Sequence, residues 1–303
     1  MTALLTSTID RDGFWTASTV GGKALALWRL RSAGVLVPFG VALSVGLLRD
    51  HLSTDSLLEM KAAIAGLTDM GAIVESCRTY RQEIETRPIP EKLRARIGEA
   101  VGSLRGQRFA VRSSAVQEDG LLRSWAGQFD SFLDVSGEGV GSKVVSCWAS
   151  TVSPRSVFYC KAFGVKLTDL EMAVLVQELV PATVSGVAFT KHPIENDLSI
   201  IYVEAVPGSG EALVAGAVIP QRFVIRKSDG RILSTTTSES PTGRGSSRSS
   251  GGGRSGPVLS ASNVEALVKI CRTAEDLFGV PQDVEFAVWR GHVYALQARP
   301  ITN

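Results

Sequence analysis

Cysteine, histidine and net charge are all scarce in this chain, and each scarcity removes a class of function. The four cysteines, Cys77, Cys147, Cys160 and Cys271, stand far apart in 303 residues, with no pair at metal-ligand or redox spacing. Reduced thiols in a cytoplasmic protein are the simplest account of them. Lys and Arg total 32 against 30 Asp and Glu, a net charge of +2. The basic residues are spread along the chain outside one segment, so a nucleic-acid partner has no support. No uncharged run is long enough to span a bilayer, and the N-terminus lacks the basic-then-apolar order of a signal peptide. The three histidines, His51, His192 and His292, share no motif, and each reads as a surface residue.

Hydrophobic residues make up 44% of the chain, enough for a full core in one large domain or two lobes. Apolar residues recur at helical spacing through 57–70 and 93–104, with Arg87-Pro88-Ile89-Pro90 breaking the pair. Residues 107–135 alternate like strands around a polar loop, 139–163 read as helical, and 173–177, 186–190 and 199–204 read as strands. Ser260 or Ser262 caps a helix running to Gly279. Helix and strand alternate without strict βαβ order, which predicts an α+β fold. Residues 238–256 are almost free of apolar side chains and predict a mobile loop.

The C-terminal residues 283–303 hold the most chemistry. Glu285 sits in an apolar run, and Gln297 and Arg299 follow two residues apart, so alternation points them the same way. Trp289-Arg290-Gly291-His292 reads as a hairpin turn bringing Glu285 to that face. A carboxylate with a carboxamide oxygen suits Mg²⁺, and an arginine suits a phosphate oxygen. An edge hairpin with a solvated ion pair is the alternative.

Three further clusters suit a polyphosphate. Gly21-Gly22-Lys23 opens a helix that Gly34 ends, exposing backbone N–H groups beside a cation; an ordinary helix start is the alternative. Arg112-Ser113-Ser114 reads as a phosphate clamp at a strand end, followed by a loop with Gly127 between Trp125 and Phe129 and then Ser131. A hairpin with aromatic core contacts is the alternative. The strand ending in Gln177, Glu178 and Val180 stops at Pro181, and its unpaired edge could hydrogen-bond an adenine; periodicity alone makes it a core strand.

In order and spacing, these segments resemble the nucleotide-binding region of the phosphoenolpyruvate synthase and pyruvate phosphate dikinase family, also found in rifampin phosphotransferase. The signatures are Gly-Gly-Lys at 21–23, Ala-Val-Arg-Ser-Ser-Ala at 110–115, Ala-Gly-Gln at 126–128, Ser-Pro-Arg at 153–155 and Ser-Gly-Val-Ala-Phe-Thr at 185–190. Gly-Ser-Gly-Glu at 208–211, Asp-Val-Glu-Phe at 283–286 and Leu-Gln-Ala-Arg-Pro-Ile-Thr at 296–302 complete the set. The resemblance implies an ATP-grasp fold, two lobes clasping a nucleotide in the cleft between them. It implies an N-terminal part over 1–105, a central lobe over 106–190 and a C-terminal lobe over 191–303.

The same resemblance implies residue roles. Lys23 and Arg112 hold ATP phosphates; Gly127 and Ser131 belong to the loop closing over them. Gln177, Glu178 and Val180 line the adenine and ribose pocket. Glu285 and Gln297 coordinate Mg²⁺, and Arg299 neutralises the phosphoryl group in flight. Three departures stand out: Ser209 within Gly-Ser-Gly-Glu, Trp125 before Ala-Gly-Gln, and Cys160 where an arginine is common. Full-length members relay phosphate through a histidine in a motif ending in Ser-His or Cys-His, and none of the three histidines has that context. The expected partner is therefore a phosphohistidine carrier and acceptor domain on a separate or removed segment, with a small molecule as final acceptor. A self-contained small-molecule kinase or ligase, and a non-catalytic nucleotide-sensing subunit, are the competing functions.

Overall fold

The computed structural model describes residues 5–7, 15–119, 125–210, 218–236 and 257–302. They fall into two compact units, the first holding the described residues of Met1–Arg29, Pro38–Leu179 and Thr302–Asn303, the second Leu30–Val37 and Val180–Ile301. The segment 238–256, expected to be a loop, and Glu211 of the Gly-Ser-Gly-Glu signature lie outside the described residues.

The first unit is built on a five-stranded sheet of β1 (Leu5–Ser7), β2 (Gly40–Leu43), β3 (Arg108–Ala115), β4 (Ser131–Ser136) and β5 (Met172–Glu178), in the order β1-β2-β5-β3-β4. β1 pairs with β2 in parallel and every other pair is antiparallel. Alternation splits the sheet faces. Phe109, Val111 and Ala115 of β3 lie with Met172, Val174 and Val176 of β5 in a buried core. Helix α6 (Val140–Ala149) lies across β3 and β5 and supplies Val144, Cys147 and Trp148 to that core.

Helices α1 (Ala17–Ser32), α2 (Gly46–His51), α3 (Thr54–Ala65), α4 (Met70–Thr86), α5 (Glu91–Gly102) and α7 (Pro154–Phe163) complete the set. Their ends follow local chemistry. The Ser53 side chain accepts from the Ser56 amide and Asp69 from that of Ala72, so a second interruption falls at 66–69, besides the expected one at 87–90. α4 stops where Pro88 disfavours helical backbone at Arg87. His51, expected at the surface, is instead 3% exposed. Its Nε2 lies 3.1 Å from the Ile84 carbonyl and its ring 5.7 Å from that of Trp148. A histidine placed on the inner side of a short helix is enclosed whatever its polarity.

The second unit holds a six-stranded, wholly antiparallel sheet of β6 (Val184–Phe189), β7 (Ile200–Pro207), β8 (Gln221–Arg226), β9 (Ile232–Thr236), β10 (Gln282–Trp289) and β11 (His292–Pro300), in the order β11-β10-β6-β7-β8-β9. β8 and β9 were not expected from the sequence. Val284, Phe286, Ala188, Val203 and Phe223 share one buried face. Helix α8 (Ala261–Phe278) packs against β10 and β11. Ser260 caps it in a reciprocal box with Asn263, and Gly279 closes it in the left-handed conformation, as expected. Among the described residues, no helix is long and apolar enough to cross a membrane.

Candidate nucleotide site

In the first unit Arg112, Ser131 and Gln177 lie on the sheet face opposite Phe109 and Val111. Arg112 pairs across strands with Ser131 on one side and Leu175 on the other, and Ala110 pairs with Gln177, which pairs with Gly40. Paired residues project to the same side of a sheet, so Arg112 and Ser131 share a row and Gln177 stands in the next. Arg112 lies mid-strand, not at the strand end that its serines suggested. Gly40 is required here, because a Cβ would lie 2.8 Å from the Val176 carbonyl oxygen and 3.0 Å from Cγ of Gln177.

The Gly21-Gly22-Lys23 segment docks onto the same strand. α1 does not start at Gly21; it starts at Ala17 and breaks at Gly21, where φ is 73° and ψ is 171°. The Ser114 hydroxyl enters the break, donating to the Val20 carbonyl at 2.8 Å and accepting from the Ala24 amide at 3.1 Å. Those two groups would bond each other in an unbroken helix, so one side chain replaces the missing rung. A Cβ on Gly21 would sit 1.9 Å from the Ser114 carbonyl oxygen. Gly22 and Lys23 therefore begin a new helical turn directly over the Arg112 strand. Ser114 was read from sequence only as a phosphate clamp; its docking role had no local signal.

The strand of Gln177 is not an exposed edge. β5 is flanked by β2 and β3, the Glu178 amide donates to Phe39 and the Leu179 amide to Arg108, which corrects the unpaired-edge reading. Alternation turns Glu178 away from Gln177, and its carboxylate accepts from the amides of Arg105 and Gly106 at 2.7 and 3.0 Å. Val180 begins the second unit's segment. Gln177 is 3% exposed, and among the described residues its Nε2 has no hydrogen-bond partner. A buried amide left unpaired is costly, and a polar ring such as adenine would satisfy it.

In the second unit, Arg290 and Gly291 form the two-residue turn between β10 and β11, both with positive φ. Trp289 pairs with His292, Glu285 pairs with Gln297 and Asp283 pairs with Arg299. All four polar side chains thus share one face, opposite the buried Val284 and Ala298. A regular ladder from this turn would set Glu285 against Leu296. One extra residue, Leu296, is accommodated in a bulge between the Glu285 and Phe286 pairings, and that bulge makes the expected face correct. Arg299 donates from Nε and Nη2 to Oδ2 of Asp283 at 2.9 and 2.7 Å. Burial raises the Asp283 carboxyl above its ordinary range, against the pull of Arg299. Asp283, which orients the arginine, was not singled out from sequence.

Glu285 and Gln297 offer one charged and one neutral oxygen ligand side by side, a donor set that suits a hard cation whose other ligands come from phosphate and water. Among the described residues no group of three His, Cys, Asp or Glu could hold a metal alone.

Residues 17–303 match the family described as pyruvate phosphate dikinase, AMP/ATP-binding domain. A probable phosphoenolpyruvate synthase of Methanocaldococcus jannaschii is 32% identical over 93% of this chain and 25% of its own length. Another, of Methanothermobacter thermautotrophicus, is 34% identical over 93% of this chain and 44% of its own. A rifampicin phosphotransferase of Streptomyces sviceus is 33% identical over 94% and 34% respectively. The chain thus spans less than half the length of these relatives. With the mixed helix-and-sheet architecture of both units, the match makes the fold the ATP-grasp class that the motifs predict. The chain belongs to the family of the pyruvate phosphate dikinase AMP/ATP-binding domain.

Proposed function

We propose that this chain binds and cleaves Mg·ATP as a module of a dikinase-like phosphotransferase. The β-phosphoryl group passes to a histidine borne on another domain or another chain, and the γ-phosphoryl group goes to water, so that ATP, histidine and water give phosphohistidine, AMP and phosphate. Lys23 and Arg112 hold phosphate oxygens, with Gly127 and Ser131 beside them. Gln177 and Val180 contact the adenosine, and Glu178, whose carboxylate accepts from the Arg105 and Gly106 amides, fixes the strand end beside them. Glu285 and Gln297 hold Mg²⁺, which neutralises phosphate charge when bound. Arg299, held by Asp283, offsets the charge that develops on the phosphoryl group in flight. Positioning and charge stabilisation supply most of the catalysis in such reactions.

The observation that carries this reading is the register of β10 and β11, which sets Glu285 against Gln297 and Asp283 against Arg299 on one face within a family match covering 17–303. The test is nucleotide analysis by ion-exchange chromatography, with the histidine-bearing domain of a relative added as acceptor. AMP and phosphate in equal amounts are expected. ADP as the sole product would instead indicate a direct kinase, and bound but uncleaved ATP a nucleotide sensor.

A further inference from the structure

The Ser153-Pro154-Arg155 signature has no task among the proposed nucleotide contacts, yet its geometry is specific. The Ser153 side chain caps α7 and Pro154 occupies its first turn, so Arg155 leaves the helix at a fixed point. The Arg155 guanidinium spans two groups of the glycine loop: Nη1 donates to the Gly127 carbonyl at 3.0 Å and Nη2 to Oδ1 of Asp130 at 2.6 Å. The other Asp130 oxygen accepts from Nη2 of Arg81, on α4, at 2.7 Å. Asp130 is the residue before Ser131, which pairs with Arg112.

The same loop is held by packing. Trp125 stacks on Phe129 with centroids 5.4 Å apart and meets Tyr159 of α7 at 4.3 Å, and Tyr159 meets Phe163 at 4.5 Å. Both flanking aromatics are buried, whereas Gly127 at the tip has a φ of 70° and open space where a Cβ would point. The base of the turn is gripped while its tip is exposed.

Resting on the reading of the chain as an ATP-binding module, we propose that Arg155 is a positioning residue: with Arg81 it clamps Asp130 and the Gly127 carbonyl, holding the 125–130 turn beside Arg112 in the shape that receives the terminal phosphates of ATP. Only a planar fork reaches the carbonyl and the carboxylate together; a lysine ammonium keeps the charge without the span. The clamp therefore acts on triphosphate binding and leaves binding of the adenosine end unchanged.

The test compares the full chain with Arg155→Ala, Arg155→Lys and Asp130→Asn by hydrogen exchange without nucleotide and by calorimetry with Mg·ATP and with AMP. Arg155→Ala is expected to speed amide exchange within 125–131 and to weaken Mg·ATP binding by about tenfold, as expected when a binding group is displaced, with AMP affinity unchanged. Arg155→Lys is expected to fall between Arg155→Ala and the parent. Asp130→Asn, which keeps the side-chain shape, is expected to move both readouts the same way, and it decides the matter should Arg155→Ala not fold. Unchanged exchange in 125–131, or equal losses of ATP and AMP binding, would overturn the clamp while leaving the ATP-binding reading intact. A parent chain that binds no Mg·ATP would remove that reading and the clamp with it.

Discussion

Asp283 and Arg299 show how one residue's chemistry depends on its neighbour. Asp283 is 7% exposed, and among the described residues its Oδ1 has no hydrogen-bond partner, so Arg299 is its main compensation. Arg299→Ala is expected to destabilise the fold by about 1–3 kcal/mol, because a buried carboxylate loses its counter-charge. Adding Asp283→Asn should return most of that stability in urea denaturation without restoring ATP cleavage. Recovery of cleavage in the double variant would show that Arg299 serves packing alone. Glu285→Gln removes the charged half of the proposed cation-binding pair, so activity is expected to require higher Mg²⁺; an unchanged Mg²⁺ titration would take Glu285 out of the site.

Lys61 gives a pH signature. It is 1% exposed, and its Nζ donates to the Leu170 carbonyl. Burial lowers its pKa from 10.5 to about 8, with Glu171 opposing. Between those values the unfolded chain binds more protons than the folded one, so this group's contribution to stability rises with pH across that window and is flat below it. The parent is expected to gain up to about 3 kcal/mol over Lys61→Met between about pH 7.5 and about pH 10. Parallel urea-denaturation curves at every pH would contradict it. Lys23, Arg112, Glu285, Gln297 and Arg299 were legible as candidates because their motifs lie in short runs. Ser114, Asp130 and Asp283 were not assigned their partners, since each acts through a residue that sequence spacing does not pair with it. His51 was misread because its residue type outweighed its position on a short, enclosed helix.

Among the elements, the terminal hairpin was legible through its turn, since Arg290-Gly291 fits a tight two-residue connection. The bulge was not, because alternation counts residues one for one and a bulge sets two residues of one strand against one of the other. Deleting Leu296 should regularise the ladder and still leave Glu285 opposite Gln297, so the Mg²⁺ response should persist. Loss of that response with the fold intact would show that the bulge's twist, beyond its register, aims the ligands. The break in α1 was half legible: the glycines marked a turn, but the helix begins four residues earlier at Ala17. Gly21→Ala combines a disfavoured φ with a Cβ 1.9 Å from the Ser114 carbonyl oxygen. It is expected to lower stability by about 3 kcal/mol or more in thermal or urea unfolding. A near-neutral change would mean that the break can relax without strain.

For the whole molecule, the sequence conveyed class better than extent. The α+β character and the central strands followed from alternating and helical periodicities. β8 and β9 did not stand out, since short strands such as Gln221–Arg226, with charged residues among the apolar ones, resemble ordinary surface segments. In each unit one sheet face packs into an apolar core, and the opposite face carries Arg112, Ser131 and Gln177 in the first and Asp283, Glu285, Gln297 and Arg299 in the second. Binding that favours the folded chain adds to its stability by mass action, so Mg·ATP at a hundredfold excess over its Kd should add about 2.7 kcal/mol. At equal concentration AMP should add less, and denaturation curves superimposing with and without Mg·ATP would exclude a folded-state site.

The hydroxyl of Ser114 fills a gap between Val20 and Ala24, ninety positions along the chain from the Ala24 amide that donates to it. That group comes from β3, so an emerging polypeptide cannot complete its glycine corner until β3 has left the ribosome. Completion of that corner is consequently a late event in the birth of this protein, contingent on distant parts meeting and not on the early helix alone.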